Sequence, residues 1–471
     1  MTAMVMEEGA RPAVAWSTDG ITFAFHSPIA SDVRLGGYVV LEAPQGPLLG
    51  QVLSQRSIEV GGRRRVAGEG RLLSASANRH AFDEVAVGVA DDRRLVERLA
   101  RPGASLELGS LRDAPEVTAR LVAKGFNRHT FLCGQSGSGK TYSLGRLLEE
   151  LLLRTALPLL VLDPNGDHVH LGRTREGIDP AVAATYTEAA GDVRVLGAHP
   201  SDGVAPLRIR LQDLGPPGVA ALLQLDPIAD RREYNALLHA LHDAPSEGYA
   251  SVDDATEAFR VSGDEVLELI RMRVENLGVD RMATWATRSA VAVAELWIQQ
   301  RPRALIADTS GFEDRRERIA VTVSLLEQLW ADRKRRQPLL LVVDEAHDVC
   351  PAAPEDPLQR LAVDRFTRIA GEGRKYGIHL LLASQRPDKL PDNVLTQCDN
   401  LLLMRVNSAG DRAALASTFG FVPPELIELS GTFGLGESLL AGAVSPDPQL
   451  ARTGARLSPE GGADVPTAWA H

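Results

Sequence analysis

The stretch Thr130-Phe-Leu-Cys-Gly134-Gln-Ser-Gly-Ser-Gly139-Lys140-Thr141-Tyr-Ser-Leu144 decides the fold. Within it Gly134, Gln135, Ser136, Gly137, Ser138, Gly139, Lys140 and Thr141 fill the pattern GxxxxGK[ST] without a mismatch. A short apolar run, Thr130–Cys133, precedes the pattern, and an amphipathic segment, Tyr142–Thr155, follows it. The motif thus falls at a strand–loop–helix junction, where its mechanism requires it. Glycines let the backbone wrap a polyphosphate, and the loop N–H groups and helix N-terminus supply positive potential. Lys140 is expected to reach the β- and γ-phosphates and the Thr141 hydroxyl to bind Mg²⁺, so ATP and Mg²⁺ are the expected ligands. The competing reading, a glycine-rich turn without function, is disfavoured by the flanking strand and helix.

Outward from this stretch, Leu339-Leu-Leu-Val-Val-Asp344-Glu345 reads as a buried strand ending in two carboxylates. Asp344 is expected to hold Mg²⁺ through its water shell, and Glu345 to polarise the attacking water. His347 completes the letters D-E-A-H and reads as a packing or hydrogen-bonding histidine. A further strand ends in Ala383-Ser-Gln385-Arg-Pro387, and Gln385 is the expected sensor of the γ-phosphate or the water. Asp163-Pro-Asn-Gly-Asp167 ends the strand after the phosphate loop; it either faces the nucleotide or only turns the chain.

The 471 residues exceed one ordinary domain. Acids outnumber bases 62 to 51, giving a net charge of −11, which excludes a uniformly basic nucleic-acid-coating protein but not a local basic lining. Residues 211–300 hold 15 acids against 7 bases, whereas 301–336 and 360–412 each hold 9 bases against 6 acids. Cys133, Cys350 and Cys398 are too scattered for a disulfide framework or a zinc site, which fits a reducing cytoplasm. No apolar run reaches the length of a membrane span and no signal peptide is apparent, so a cytoplasmic protein is expected.

Residues 1–100 read as short strands separated by turns (Gly20–Phe25, Gly37–Leu41, Leu48–Leu53, Arg71–Ser74), hence a small β-barrel or sandwich. From about Thr118 strands alternate with helices, the pattern of a parallel α/β sheet. Segment 211–300 reads as helical, and strands resume at Arg303–Asp308, Leu339–Asp344, His379–Ala383 and Asn400–Met404. The expected domains are a barrel (1–100), a first part of the core (101–210), a helical insertion (211–300), a second part (301–445) and a tail (446–471).

Taken together these motifs resemble the HerA–FtsK superfamily of P-loop translocases, the HerA branch most closely. The resemblance rests on Arg128-His-Thr-Phe-Leu-Cys-Gly134 leading into the phosphate loop, Asp163-Pro-Asn-Gly-Asp167, Asp308-Thr-Ser-Gly311, Asp344-Glu-Ala-His347, Gly371-Glu-Gly-Arg-Lys-Tyr-Gly377 and Ser384-Gln-Arg-Pro387. Gln397-Cys-Asp-Asn400, Met404-Arg405, Gly436-Glu437 and Gly442 also agree. It departs mildly in Ser136, where Thr is frequent, and in Asp167-His168, where a Glu–aromatic pair is frequent. It implies an α/β fold: a RecA-like P-loop ATPase core with a parallel sheet, an N-terminal small β-barrel and a helical insertion. It also implies a homohexameric ring that hydrolyses ATP, threads double-stranded DNA without reading its sequence and works with a partner nuclease in end processing or repair. The alternative it allows is an ATPase scaffold of an anti-phage complex carrying a nuclease or Sir2-like effector. A third and weaker alternative is a conjugation or secretion ATPase. An ATP site between subunits needs a cation delivered in trans, and Arg374 is the first choice, with Arg128, Arg386 and Arg405 as alternatives. Arg128 and Arg405 are also counted among the nucleotide-binding residues. Arg173 and Arg175 are the expected DNA contacts, with Arg333-Lys-Arg-Arg336 as a further basic run.

Overall fold

The computed structural model describes residues 13–60, 62–73, 80–100, 103–244, 248–249, 251–287 and 290–461. These form two compact units, residues 1–125 with 401–454 and residues 126–400 with 455–471. Ser74 of the expected strand Arg71–Ser74, and positions 462–471 of the expected tail, lie outside the described residues.

In the first unit β1 (Val14–Ser17), β2 (Thr22–Pro28), β3 (Tyr38–Ala43), β4 (Gly46–Val60), β5 (Arg63–Leu72) and β6 (Phe82–Val89) close into a barrel in the order β1-β2-β5-β4-β3-β6. All its pairings are antiparallel. Closure removes free sheet edges, and the interior holds Phe23, Phe25, Val39, Leu41 and Val52. Strands β7 (Ala104–Leu111) and β8 (Thr118–Val122) follow as an antiparallel pair.

The second unit begins with β9 (His129–Cys133), the strand before the phosphate loop, and β10 (Leu159–Asp163). Then come β11 (Val193–Gly197), β12 (Val204–Pro206), β13 (Ala304–Asp308), β14 (Leu339–Val343) and β15 (Ile378–Ser384). They lie in the order β12-β11-β13-β10-β14-β15-β9, and every pairing among them is parallel. Every residue of β9, β10, β14 and β15 is buried, as expected of a sheet covered on both faces. Helices Lys140–Arg154, Arg315–Asp332 and Pro357–Glu372 supply cover, with Leu144, Leu148, Leu325 and Phe366 buried. Between β12 and β13 lie helices Gly215–Leu222, Arg231–His242, Val252–Ser262, Glu265–Leu277 and Val293–Gln300. Ser251 and Asp264 cap two of them at the start, and left-handed Gly263 and Gly278 end them.

Strand β16 (Cys398–Leu403) carries the chain from one unit to the other. Beyond it the division departs from the expected boundary at 445. Strands β17 (Glu437–Gly442) and β18 (Ser445–Thr453) belong with the N-terminal residues, because β18 pairs with β7 in the register Ala451↔Leu111. Residues 446–453, expected in a tail, are therefore strand. Among the described residues no helix is long and apolar enough to cross a membrane.

Candidate nucleotide site

The phosphate loop turns between β9 and its helix through two left-handed glycines, Gly137 (φ +71°) and Gly139 (φ +90°). A side chain at Gly139, which caps the helix from this region, is disfavoured by contact of its Cβ with the backbone. The Ser138 amide donates to the Gln135 carbonyl at 3.1 Å, and the Gly134 amide donates to the Ser384 carbonyl at 3.3 Å. The loop is thereby fastened to the end of β15. The Ser138 hydroxyl is buried without a hydrogen-bond partner.

Because the strands are parallel, β9, β10, β14 and β15 bring their C-terminal tips to one rim, the usual ligand-binding edge of an α/β sheet. There Lys140, 4% exposed, hydrogen-bonds Asp344 Oδ1 and stands 3.1 Å from Glu345 Oε1. Burial opposes its charge, but Asp344 and Glu345 outweigh burial and push the ammonium pKa up. Burial likewise opposes the Asp344 carboxylate, yet His168 and Lys140 outweigh it and hold the group well below the usual range. Glu345 adopts a left-handed backbone (φ +43°), a conformation costly for a residue with a side chain and frequent at functional sites.

Gln385 donates from Nε2 to Glu345 Oε1 at 2.5 Å. Sequence reading aimed Gln385 at the γ-phosphate or the water; here it meets the carboxylate expected to polarise that water. Strand β15 stands between β14 and β9, so its tip falls beside both Glu345 and the phosphate loop. His347 Nδ1 lies 3.2 Å from Ser384 Oγ and 3.5 Å from Glu345 Oε2.

The turn after β10 faces this group. The Asp163 carboxylate accepts from the amides of Asn165 (3.3 Å), Asp167 (3.1 Å) and His168 (2.7 Å), which fixes the turn. Burial pushes the Asp163 pKa up. His168, fully buried, sits with Nε2 3.6 Å from Asp344 Oδ2, beyond hydrogen-bond range, and Asp344 Oδ2 has no hydrogen-bond partner. Among the described residues no group of three or more His, Cys, Asp or Glu side chains could hold a metal. The orphaned Asp344 oxygen does fit a hard cation that takes its other ligands from hydroxyl, phosphate and water oxygens.

The expected cations divide between two rims. Arg374 follows helix Pro357–Glu372 and precedes β15, so it lies at the N-terminal rim, where Nη1 binds Asp399 at 2.5 Å. Arg128, before β9, lies 3.7 Å from the same carboxylate. The seven residues of β15, at about 3.3 Å each, put roughly 20 Å between that rim and the phosphate loop of the same chain. Arg128, expected among the nucleotide-binding residues, thus stands a strand's length from its own chain's phosphate loop. Arg405 belongs to the other compact unit, and Arg386 is exposed one residue past Gln385. Arg173 and Arg175 are exposed on the segment after β10, with Arg173 donating to the Asp202 carbonyl at 3.1 Å. Arg333 stacks on Trp330, its guanidinium carbon 4.5 Å from the ring centroid, before β14.

Three participants carry no sequence signal of their own. Asp399 gathers Arg128 and Arg374. His168, in the segment noted as a departure, reaches Asp344 only because β10 and β14 are neighbours. His129 is buried with Nε2 3.0 Å from the Ala370 carbonyl and Nδ1 accepting from the Leu380 amide at 2.9 Å.

A phosphate loop, a strand-tip Asp–Glu pair and an intervening strand with a polar tip define a P-loop ATPase. The family described as "Helicase HerA, central domain" matches residues 106–329. The DNA double-strand break repair helicase HerA of Pyrococcus furiosus is 22% identical over 404 residues, covering 74% of this chain and 69% of the relative. That of Saccharolobus solfataricus is 21% identical over 389 residues, covering 77% and 71%. Among solved structures, VirB4 of Thermoanaerobacter pseudethanolicus shares the fold with a TM-score of 0.52 at 16% identity, over 75% of this chain and 97% of that one. Over these spans the chain is similar to HerA-type P-loop ATPases.

Proposed function

We propose that this ATPase is a motor that moves double-stranded DNA, built as a ring of six identical subunits with ATP bound between neighbours. It would feed DNA to a partner nuclease in end processing. The relatives named as DNA double-strand break repair helicases support the substrate class. The observation that carries the reading is the separation of the two rims: Arg374 and Arg128 lie a strand's length from their own phosphate loop. In this reading the cation at the γ-phosphate comes from Arg374 of another copy.

In this reading Lys140 and the loop amides of Gly134–Thr141 bind the phosphates, and Arg374 of a neighbour neutralises charge developing on the transferred group. Glu345 takes a proton from the attacking water, and Gln385 holds the Glu345 carboxylate in place. Thr141 and Asp344 would hold Mg²⁺, which supplies charge neutralisation at the phosphates when bound. Arg173 and Arg175 contact the DNA backbone, giving binding that weakens with salt and ignores sequence.

The test mixes two inactive variants, Arg374→Ala and Glu345→Gln. In a ring with shared sites, some interfaces in the mixture combine an intact Glu345 with an intact Arg374. ATPase activity then reappears, stimulated by DNA. An unrecovered mixture, or full activity in a subunit that stays monomeric by mass measurement, overturns the reading.

A further inference from the structure

After the last strand the chain returns to the ATPase unit, and the return is built rather than loose. Arg456 is 1% exposed, a burial that arginine rarely reaches without partners. Its Nε lies 3.4 Å from Glu149 Oε1, Nη2 donates to Ser458 Oγ at 2.9 Å, and its backbone amide donates to the Tyr142 hydroxyl at 2.9 Å. Glu149, on the third turn of the phosphate-loop helix and fully buried, accepts from the Leu457 amide at 2.8 Å, the Ser458 amide at 2.8 Å and the Ser458 hydroxyl at 2.6 Å. The guanidinium occupies space that only a glycine leaves open: a Cβ at Gly145 would stand 2.4 Å from Arg456 Cζ.

The other end of the segment closes on the opposite half of the site. The Gly461 amide donates to the Asp167 carbonyl at 3.0 Å, and the Leu457 carbonyl accepts from the Arg175 amide at 2.8 Å. A Cβ at Gly461 would lie 1.9 Å from the Gly166 carbonyl oxygen. One end therefore grips the helix beside Tyr142, next to Thr141; the other grips the turn whose His168 faces Asp344.

We propose that Ala455–Gly461 is a strap that sets the placement of the phosphate-loop helix against the Asp163–His168 turn, with Glu149 and Arg456 as positioning residues for ATP hydrolysis. Nucleotide binding depends on the loop and helix alone, whereas turnover needs both halves in register. Loosening the strap therefore lowers kcat and spares affinity.

The experiment uses the full chain carrying Glu149→Gln, which keeps volume but sets an NH2 donor against one of the two backbone amides that Glu149 accepts from. Gly145→Ala is the second variant, since its Cβ would stand 2.4 Å from Arg456 Cζ and displace the guanidinium while leaving Glu149 itself unchanged. Measured are kcat, the Kd for ADP, and amide hydrogen exchange. Both variants should lose kcat on the order of 10- to 100-fold, the effect of a misplacement near one ångström. The ADP Kd should move less than about threefold. Amides of 163–168 and Arg175 should exchange about tenfold faster or more, with β9 and β10 unchanged. Alanine is the better helix former, so a strap without a positioning role predicts exchange in Gly145→Ala as slow as in the parent. That result, or an unchanged kcat in the nucleotide-binding variants, overturns the proposal. If Glu149→Gln fails to fold, Gly145→Ala decides alone.

Discussion

Replacing Lys140 by methionine removes the charge and keeps most of the side-chain volume. Catalytic loss is expected from the missing phosphate ligand; the structure adds a claim about the nucleotide-free protein. Lys140 is the cation between two buried carboxylates, hydrogen-bonded to Asp344 and 3.1 Å from Glu345. Breaking such a pair by removing one partner costs about 3–5 kcal/mol. The folded variant can limit this loss by taking up a proton. Protonating a carboxyl of ordinary pKa near 4 costs about 5 kcal/mol at pH 7.5 and about 2 kcal/mol at pH 5.5. The carboxyl then has a folded pKa above its unfolded value, so the variant gains stability relative to the parent as pH falls. The assay is denaturant unfolding of parent, Lys140→Met, Asp344→Asn and the double variant at the two pH values. The expected result is a loss of about 3–5 kcal/mol at pH 7.5 that shrinks to about 2 kcal/mol or less at pH 5.5. A smaller loss is expected when Asp344→Asn is already present. An isolated buried lysine would behave oppositely, its removal stabilising the fold, so equal or greater stability of Lys140→Met at pH 7.5 refutes the reasoning.

Two further outcomes are expected. Gln385→Ala should lower kcat about 10- to 100-fold with KM for ATP little changed, because it frees the Glu345 carboxylate and not the phosphates; a raised KM with intact kcat in steady-state ATPase assays contradicts this. Burial, and then the charge on Arg374, lower the His129 pKa to about 4 from 6.5. The unfolded chain therefore binds the proton first on acidification, and stability present above pH 6.5 is lost toward pH 4, by about 3 kcal/mol from this residue. Denaturation midpoints from pH 7.5 to 4.5 should fall less steeply in His129→Gln, whose amide can serve both hydrogen bonds.

Much of this was legible in the chain itself. The phosphate loop and the Asp344-Glu345 tip lie on continuous apolar strands, so local pattern and fold agree. The helices of 211–300 announce themselves by apolar spacing and caps. The strand Val193–Gly197 passed unread because Arg194 interrupts its apolar run and no turn motif marks its start. The barrel's long hairpin extends beyond the expected strands Leu48–Leu53 and Arg71–Ser74, since Arg63–Arg65, polar in sequence, pair with Ile58–Val60. The largest misses were relations between distant positions. Nothing near Glu149 signals a partner 307 residues on. Nothing near Arg128 states that strand direction carries it away from the loop it precedes.

Strand β15 begins just after Arg374 and ends just before Gln385, with every residue buried and a parallel neighbour on each side. Such a strand is already extended and cannot lengthen, and its hydrogen bonds on both flanks resist bending. A push on one end must emerge at the other. In mechanical terms it is a connecting rod, with the glutamine that donates to Glu345 at one end and the arginine-bearing turn at the other. A displacement of a fraction of an ångström at Gln385 therefore has a short, stiff route to the turn that carries Arg374.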